Sequence, residues 1–263
     1  MPMEEKYKQL ANKIVEKISK VVTKESRNNF YKLAKTVGVS ACGSPTSYID
    51  QVAEDAAIKI LEKSEVKVNL LSEEKGFVDF GGSYIFVLDP VDGTRNAYRG
   101  IPFYSVSLAV GTSKISDIQY GIVKNIPTGD LFTAEKKSGA FLNNTRIRVC
   151  EMPSVEMLSS ISLGKNYTPR AGALSKKGNV RSFGSASLEL CLVANNALDY
   201  FFVGKEILRV VDIAAATLIV REAGGLVKTL SGDELNMEFD VAARTSVLAG
   251  CSETLLKTLL PKA

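Results

Sequence analysis

The 263-residue chain predicts a layered α+β to α/β fold built from two unlike subdomains, residues 1–150 and 151–263. Three observations carry this expectation. Two amphipathic helix patterns open the chain. A run of short β-prone segments punctuated by turn residues follows them, and after about residue 150 strand and helix patterns alternate.

In the first half, Tyr7, Leu10, Ile14, Ile18, Val21 and Val22 recur at helical spacing and predict a helix over residues 3–23. A second helix is expected from near Ser47, with Ile49, Val52, Ala53, Ala56, Ala57, Ile60 and Leu61 on its apolar face. Val66 to Leu71 reads as a strand that ends in Ser72-Glu73-Glu74, and Tyr84 to Leu88 as a buried strand. Ser105–Val110, Ile118–Asn125, Leu131–Ala134 and Ala140–Leu142 follow as strands. Gly111, the run 127–130, Ser138-Gly139 and Asn143-Asn144 separate them as turns.

In the second half, Leu158–Leu163 is strand-like, and Gly164 to Gly178, with Tyr167 and Arg170, reads as a flexible segment able to cover a site. A helical pattern runs from Gly184-Ser185-Ala186-Ser187 through Ala197, and Tyr200–Val203 is a short strand. Ile213–Ala223 is an Ala-rich helix stopped by Gly224-Gly225. Leu226–Thr229 and Val247–Ala249 are further strands. Ser252 caps a last helix through Leu260, which Pro261 follows.

Composition narrows the chemistry. A 45% hydrophobic content supports a sizeable core, and the net charge of +4 is mild. The lysines of the first helix are interleaved with glutamates as a solvated face, and no basic stripe with aromatics calls for nucleic acid. No apolar run is long enough to span a membrane, and the charged N-terminus does not read as a signal peptide, so a cytoplasmic location is expected. There is no histidine, which excludes His-ligated zinc, a Ser-His-Asp triad and a phosphohistidine. The four cysteines are far apart, form no Cys-x-x-Cys, and read as buried or half-buried free thiols.

The run Asp89-Pro90-Val91-Asp92-Gly93-Thr94 closes the Tyr84–Leu88 strand with two carboxylates, a proline-fixed turn and a Gly-Thr pair. Clustered carboxylates repel, so either their pKa values rise or a cation lies between them. Carboxylates and a backbone carbonyl suit a hard ion such as Mg²⁺, while the Gly93 and Thr94 amides are placed to face an anion. Metal beside anion points to phosphate chemistry. Glu73 and Glu74 at another strand end, Asp212 at the start of a helix and Asp50 in the second helix extend the set of acids. Taken one at a time, each of these three also reads as a solvated or helix-terminal acid.

Together these segments resemble the inositol monophosphatase superfamily of Mg²⁺-dependent sugar phosphatases. The matching elements, in the family's order, are Ser72-Glu73-Glu74, Asp89 to Asn96, Gly184-Ser185-Ala186, and Asp212 to Ala216 with Glu222-Ala223-Gly224-Gly225. Val211 stands where many members carry Trp, and Ala216 replaces a common Gly. The lead-in from Lys205 to Arg209 is closer to archaeal and bacterial members that combine inositol monophosphatase and fructose-1,6-bisphosphatase activity.

The resemblance implies the αβαβα sugar-phosphatase layering, two or three Mg²⁺ ions per site, and a homodimer. It implies Glu73, Asp89 and the Val91 carbonyl at a first ion, Asp89, Asp92 and Asp212 at a second, and Glu73 with Asp50 through water at a third. Glu73, Thr94 and Asp50 would serve catalysis, Thr94 by orienting the attacking water, and attack would be direct, without a phosphoenzyme. Asp92, Gly93, Thr94, Ser185 and Ala186 would bind substrate. Arg181, Lys205 and Arg209 are candidate cations for a hydroxyl or a second phosphate. The implied substrates are sugar or polyol phosphates, myo-inositol 1-phosphate and fructose 1,6-bisphosphate first. A 3′-phosphoadenosine 5′-phosphate phosphatase and a non-catalytic metal- or polyphosphate-binding homologue are the alternatives.

Overall fold

The computed structural model describes residues 3–152 and 155–260. Helix α1 (Glu5–Asn28) buries Tyr7, Leu10, Ile14, Ile18 and Val22 along one stripe, and runs to Asn28 rather than stopping near residue 23. A two-stranded antiparallel hairpin, β1 (Thr36–Val39) and β2 (Pro45–Ser47), leads directly into α2 (Tyr48–Glu62). The sequence reading did not foresee this hairpin.

A mixed sheet follows, made of β3 (Asn69–Ser72), β4 (Gly76–Val78), β5 (Ile85–Asp92), β6 (Ser105–Gly111), β7 (Tyr120–Asn125), β8 (Leu131–Glu135), β9 (Gly139–Leu142) and β10 (Thr145–Ile147). Its strand order is β10-β9-β8-β7-β6-β5-β3-β4, with β3 and β5 parallel and every other neighbour antiparallel. The short helix α3 (Thr94–Arg99) springs from the end of β5.

The second sheet takes β11 (Leu158–Ile161), β12 (Asn179–Arg181), β13 (Tyr200–Leu208), β14 (Leu226–Lys228) and β15 (Thr245–Gly250), in the order β12-β11-β13-β15-β14. Strand β11 is parallel to both of its neighbours, and the remaining pairs are antiparallel. Helices α4 (Pro169–Leu174), α5 (Ala186–Ala194), α6 (Val210–Glu222) and α7 (Glu253–Leu259) connect or close these strands.

Three apolar clusters stack these elements into the αβαβα order. Ile14, Ile18 and Ala53 of α1 and α2 pack on Leu70, Phe86 and Leu108 of the first sheet. The opposite face of that sheet, with Leu71, Val87 and Ala109, meets α5 and α6, which in turn meet Phe201, Val203 and Val247 of the second sheet. The outer face of the second sheet, with Tyr200, Phe202 and Leu248, is covered by Leu174 of α4 and by Leu255, Leu256 and Leu259 of α7. Helix α6 is buried continuously from Val210 to Val220, as a helix between two sheets must be. It lies directly on β7: a Cβ at Gly121 would come within 2.8 Å of the Ala215 carbonyl oxygen.

Two expectations need correction. Strand β13 runs to Leu208, well past the expected Val203, because antiparallel pairing with β15 extends to Leu208↔Thr245 across an irregularity. The segment 164–178 is no structureless cover: it contains α4, capped by the Thr168 hydroxyl. There the Arg170 guanidinium docks on the carbonyl of Leu259 at the end of α7. The Ser252 cap on α7 is present, its hydroxyl accepting from Leu255 N–H at 3.2 Å. Pro261 lies outside the described residues.

Candidate active site

A bulge in β5 sets the geometry. Asp89 pairs with Ser107 and Asp92 with Ser105, so three residue steps on β5 oppose two on β6. Residues three apart in a regular strand point to opposite faces. Ser105 and Ser107 share a face, and the extra residue therefore puts Asp89 and Asp92 on that face together. It is the face that meets α5 and α6. Proline suits the bulge because it has no N–H to contribute to the ladder, and the Val91 N–H turns back to the Asp89 carboxylate at 3.0 Å. Glu73 follows β3 on the same side as Leu71, whose cluster includes α6, and Asp212 stands in the first turn of α6.

One carboxylate oxygen each from Glu73, Asp89 and Asp212 comes within 4.8 Å of the others. Asp92 stands beside this trio. Its Oδ2 accepts from Ser185 Oγ at 2.8 Å, Ser187 N at 2.7 Å and Ser187 Oγ at 2.5 Å. Arg209 is the N-cap residue of α6. Its guanidinium donates to Asp212 Oδ1 from Nε at 3.0 Å and Nη2 at 2.7 Å, and from Nη1 to Glu73 Oε1.

Burial dominates the electrostatics. Desolvation raises Glu73 to about 8, with Arg209 pulling down and Asp212 pushing up. It raises Asp89 well above the usual carboxylate range, reinforced by Glu73, Asp92 and Asp212. It raises Asp92 to about 6 against the Ser187 hydrogen bonds. Burial works against the Arg209 charge, but Asp212 and Glu73 outweigh it and raise its pKa. Hard oxygen donors that repel one another in a buried cluster are the donor chemistry that suits a hard divalent cation.

Thr94 links this cluster to α2. Its Oγ1 lies 3.0 Å from Asp50 Oδ1 and 2.9 Å from the Val91 carbonyl oxygen. Asp50 is buried and raised to about 6 by desolvation, and its other oxygen accepts from Ser47 Oγ at 2.6 Å. Gly93, at φ 92°, turns the chain from β5 into α3. A Cβ there would approach the carbonyl oxygens of Phe103 and Gly184 to 3.1 and 3.2 Å, so the position requires glycine. A cavity of about 690 Å³ opens over Asp50, Glu73, Gly93, Thr94, Arg209 and Asp212.

A profile of the inositol monophosphatase family matches residues 3–263. The chain belongs to the inositol monophosphatase family. It is 36% identical over 268 residues to the fructose-1,6-bisphosphatase/inositol-1-monophosphatase of Methanothermobacter thermautotrophicus, across 95% of this chain and 94% of that one. It is 37% identical over 249 residues to a bifunctional NADP phosphatase/NAD kinase of Methanococcus maripaludis, across 86% of this chain and 44% of that one. The solved structure of an inositol monophosphatase–fructose 1,6-bisphosphatase superposes with a TM-score of 0.84 at 30% identity, covering 98% of this chain and 99% of that one. The chain is an enzyme of this phosphatase family.

Against the inositol monophosphatase pattern, the residues expected at the site sort into three groups. Glu73, Asp89 and Asp212 converge, with Asp92, Val91, Gly93, Thr94 and Asp50 around them. Ser185 is buried and spends its hydroxyl on Asp92, and Ala186 lines an adjoining cavity of about 200 Å³. Arg181 and Lys205 do not join them. Arg181 is exposed on β12 and donates to its neighbour's carbonyl, Val180 O, at 3.0 Å, and Lys205 donates to Lys165 O at 2.8 Å. Neither lines the cavity over Thr94 or the one adjoining it.

The cavity wall holds residues the sequence reading missed: Cys42 and Ser44 of the hairpin, and the cations Arg95, Lys165 and Arg244. Burial pushes the Cys42 thiol up, but hydrogen bonds from Ser40, Ser44 and Arg209 outweigh it and bring the thiol to about 6. The turn signal Gly43-Ser44-Pro45 was available for the hairpin. Lys165 lies in the 164–178 segment read as able to cover a site, whereas nothing local marked Arg244, which reaches the wall through tertiary packing.

Two buried acids outside the trio give a pH prediction. Desolvation raises Glu54 and Glu189 to about 7, against hydrogen bonds from the Lys75 N–H and the Ser160 hydroxyl respectively. Both folded values exceed the ordinary Glu pKa of about 4.3, so the folded state holds protons that the unfolded chain has lost. Their contribution to stability is full below about pH 4 and is lost as pH rises through about 7. The urea midpoint is expected to be higher at pH 6 than at pH 8, and Glu54→Gln should narrow that gap by raising the pH 8 midpoint. An unchanged gap in the variant would contradict the assignment.

Proposed function

We propose that this protein is a cytoplasmic, homodimeric, Mg²⁺-dependent phosphomonoesterase acting on sugar and polyol phosphates, with myo-inositol 1-phosphate and fructose 1,6-bisphosphate as substrates. The observation that carries the reading is the convergence of Glu73, Asp89 and Asp212 beside the Thr94–Asp50 pair, under one cavity. Glu73, Asp89, Asp212, Asp92 and the Val91 carbonyl would hold the ions. Bound Mg²⁺ supplies charge neutralisation for phosphate and carboxylates and acidifies water.

The chain's own groups do the rest. Thr94 Oγ1, donating to Asp50 Oδ1, keeps its lone pairs for a water proton and so orients the nucleophile toward phosphorus. Asp50, with a pKa of about 6, is suited to receive a proton from Thr94 near neutral pH. The Gly93 and Thr94 amides at the start of α3 would donate to a phosphate oxygen, because first-turn amides have no partner within the helix. Ser185 and Ser187 fix the Asp92 carboxylate, so it need not reorganise during the reaction.

A second reading, hydrolysis of a phosphate on an adenosine ribose, is favoured by the similarity to the protein named bifunctional NADP phosphatase/NAD kinase. Phosphate release from inositol 1-phosphate, fructose 1,6-bisphosphate, 3′-phosphoadenosine 5′-phosphate and NADP, in Mg²⁺ and in EDTA, separates the readings. We expect Mg²⁺-dependent release with the highest kcat/KM for the first two. A preference for either nucleotide selects the second reading. No release by folded, Mg²⁺-loaded protein would leave a binding protein on this fold.

A further inference from the structure

Both oxygens of Asp212 and one of Glu73 are taken up by a single residue. Arg209 donates its backbone N–H to Asp212 Oδ2 at 2.7 Å and its Nε and Nη2 to Asp212 Oδ1 at 3.0 and 2.7 Å, while Nη1 donates to Glu73 Oε1. Among the described residues, the ion pairs formed by Glu73 and Asp212 are with Arg209. The same two carboxylates, with Asp89, make the cluster suited to a divalent ion.

A lone pair accepting from a guanidinium is not free to ligate a cation, and a guanidinium in contact with a divalent ion repels it. The planar fork explains the choice of arginine, since it spans two carboxylates where a lysine offers a single point charge. Its tether also matters. Arg209 precedes α6, three residues before Asp212, and lines both cavities of the site. Once off the carboxylates, its head remains within the space where an anionic substrate must sit. The Cys42 sulfur, 3.6 Å from Nη1, already marks one alternative contact on the hairpin wall.

We propose that Arg209 is a built-in cation that holds the metal-free site together, competes with the divalent ion for Glu73 and Asp212, and is released by metal loading to meet the anionic substrate. This rests on the reading that the site takes a divalent cation. Metal before substrate becomes the productive order, because the substrate's cationic partner is withheld until the metal arrives.

The test is Mg²⁺ binding without substrate, followed by titration calorimetry on the full chain, for wild type, Arg209→Gln and Arg209→Lys, with thermal melts in EDTA and in Mg²⁺. Arg209→Gln should bind Mg²⁺ at least about tenfold more tightly, since a like charge in contact is removed. It should also melt lower than wild type in EDTA and gain more from Mg²⁺. Equal or weaker Mg²⁺ binding by folded Arg209→Gln would overturn the proposal. Should that variant fail to fold, Arg209→Lys decides: tighter binding than wild type supports the proposal, and equal or weaker binding overturns it. The Arg Nε–H resonance of ¹⁵N-labelled wild type should shift as Mg²⁺ is added, and a fixed resonance would mean the guanidinium never leaves. Mg²⁺ binding to none of the three proteins would remove the metal-phosphatase reading itself, whereas equal binding to all removes the competition alone.

Discussion

Asp89→Asn is expected to lower kcat for both sugar-phosphate substrates by at least about 10³-fold while making the metal-free protein more stable. The residue is 1% exposed, and burial together with Glu73, Asp92 and Asp212 makes its charge costly. Asparagine has nearly the same shape, and its Oδ1 still accepts from the Val91 N–H. In EDTA the substitution therefore removes repulsion and leaves packing intact, and the melting temperature should rise. If Asp89 holds Mg²⁺ as proposed, the substitution also removes a ligand charge in Mg²⁺. A loss of about 10³ corresponds to about 4 kcal/mol of barrier, which lies in the range found for removing one preorganised group. Steady-state rates in Mg²⁺ and melts in EDTA check both halves. A variant keeping a tenth of wild-type kcat would take Asp89 out of the metal set.

Thr94→Ala is expected to cost about 10² to 10⁴ in kcat with little change in KM, the size typical of losing a positioned proton-transfer group. The Thr94 hydroxyl joins Asp50 Oδ1 to the Val91 carbonyl in this corner, at 3.0 and 2.9 Å. Without it Asp50 keeps its Ser47 contact and stays in place, so folding stability should fall by only about 1 kcal/mol. Thr94→Ser restores the oxygen and should recover most of kcat. A KM effect equal to the kcat effect would mean that Thr94 holds ground-state phosphate and does not orient water.

The legibility of the fold in the sequence followed the reach of each signal. Long periodic segments were readable: α1, α2, β5, β6 and α6 lie close to where their apolar patterns put them, because burial of one face sets both pattern and element. Short segments were read unevenly: β9, β11 and β14 were found from their sequence, and β1, β4 and β10 were not. Strands β1, β4 and β10 have three or four residues each, too few for alternation to register, although each pairs with a strand next to it in the chain. Helix α6 shows the same limit in another form. Its Ala-rich run was clear, but its start at Val210 is set by Arg209 and Asp212 bonding one another across the first turn.

The candidate site divides in the same way. Its acids were legible because carboxylates at the ends of buried strands are conspicuous. Its cations were not, since Lys and Arg are common on any surface, and only the tertiary fold separates Arg209 on the carboxylates from Arg181 on an outer strand. The supporting hydroxyls of Ser47 and Ser187 were hidden for a different reason. A serine's role depends on where its one proton points, and sequence spacing carries no such information.

The β5 bulge has a consequence for how such motifs are read. Strand geometry imposes parity: acids separated by an even number of steps share a face, and acids separated by an odd number do not. Asp89 and Asp92 are an odd number apart, yet they share a face because one residue is left out of the count. Removing one residue between them would leave an even interval in a regular ladder, on which the two acids would still share a face. Hence an odd interval between two acids that close a strand on one face is itself a readable mark of a displaced residue in the ladder.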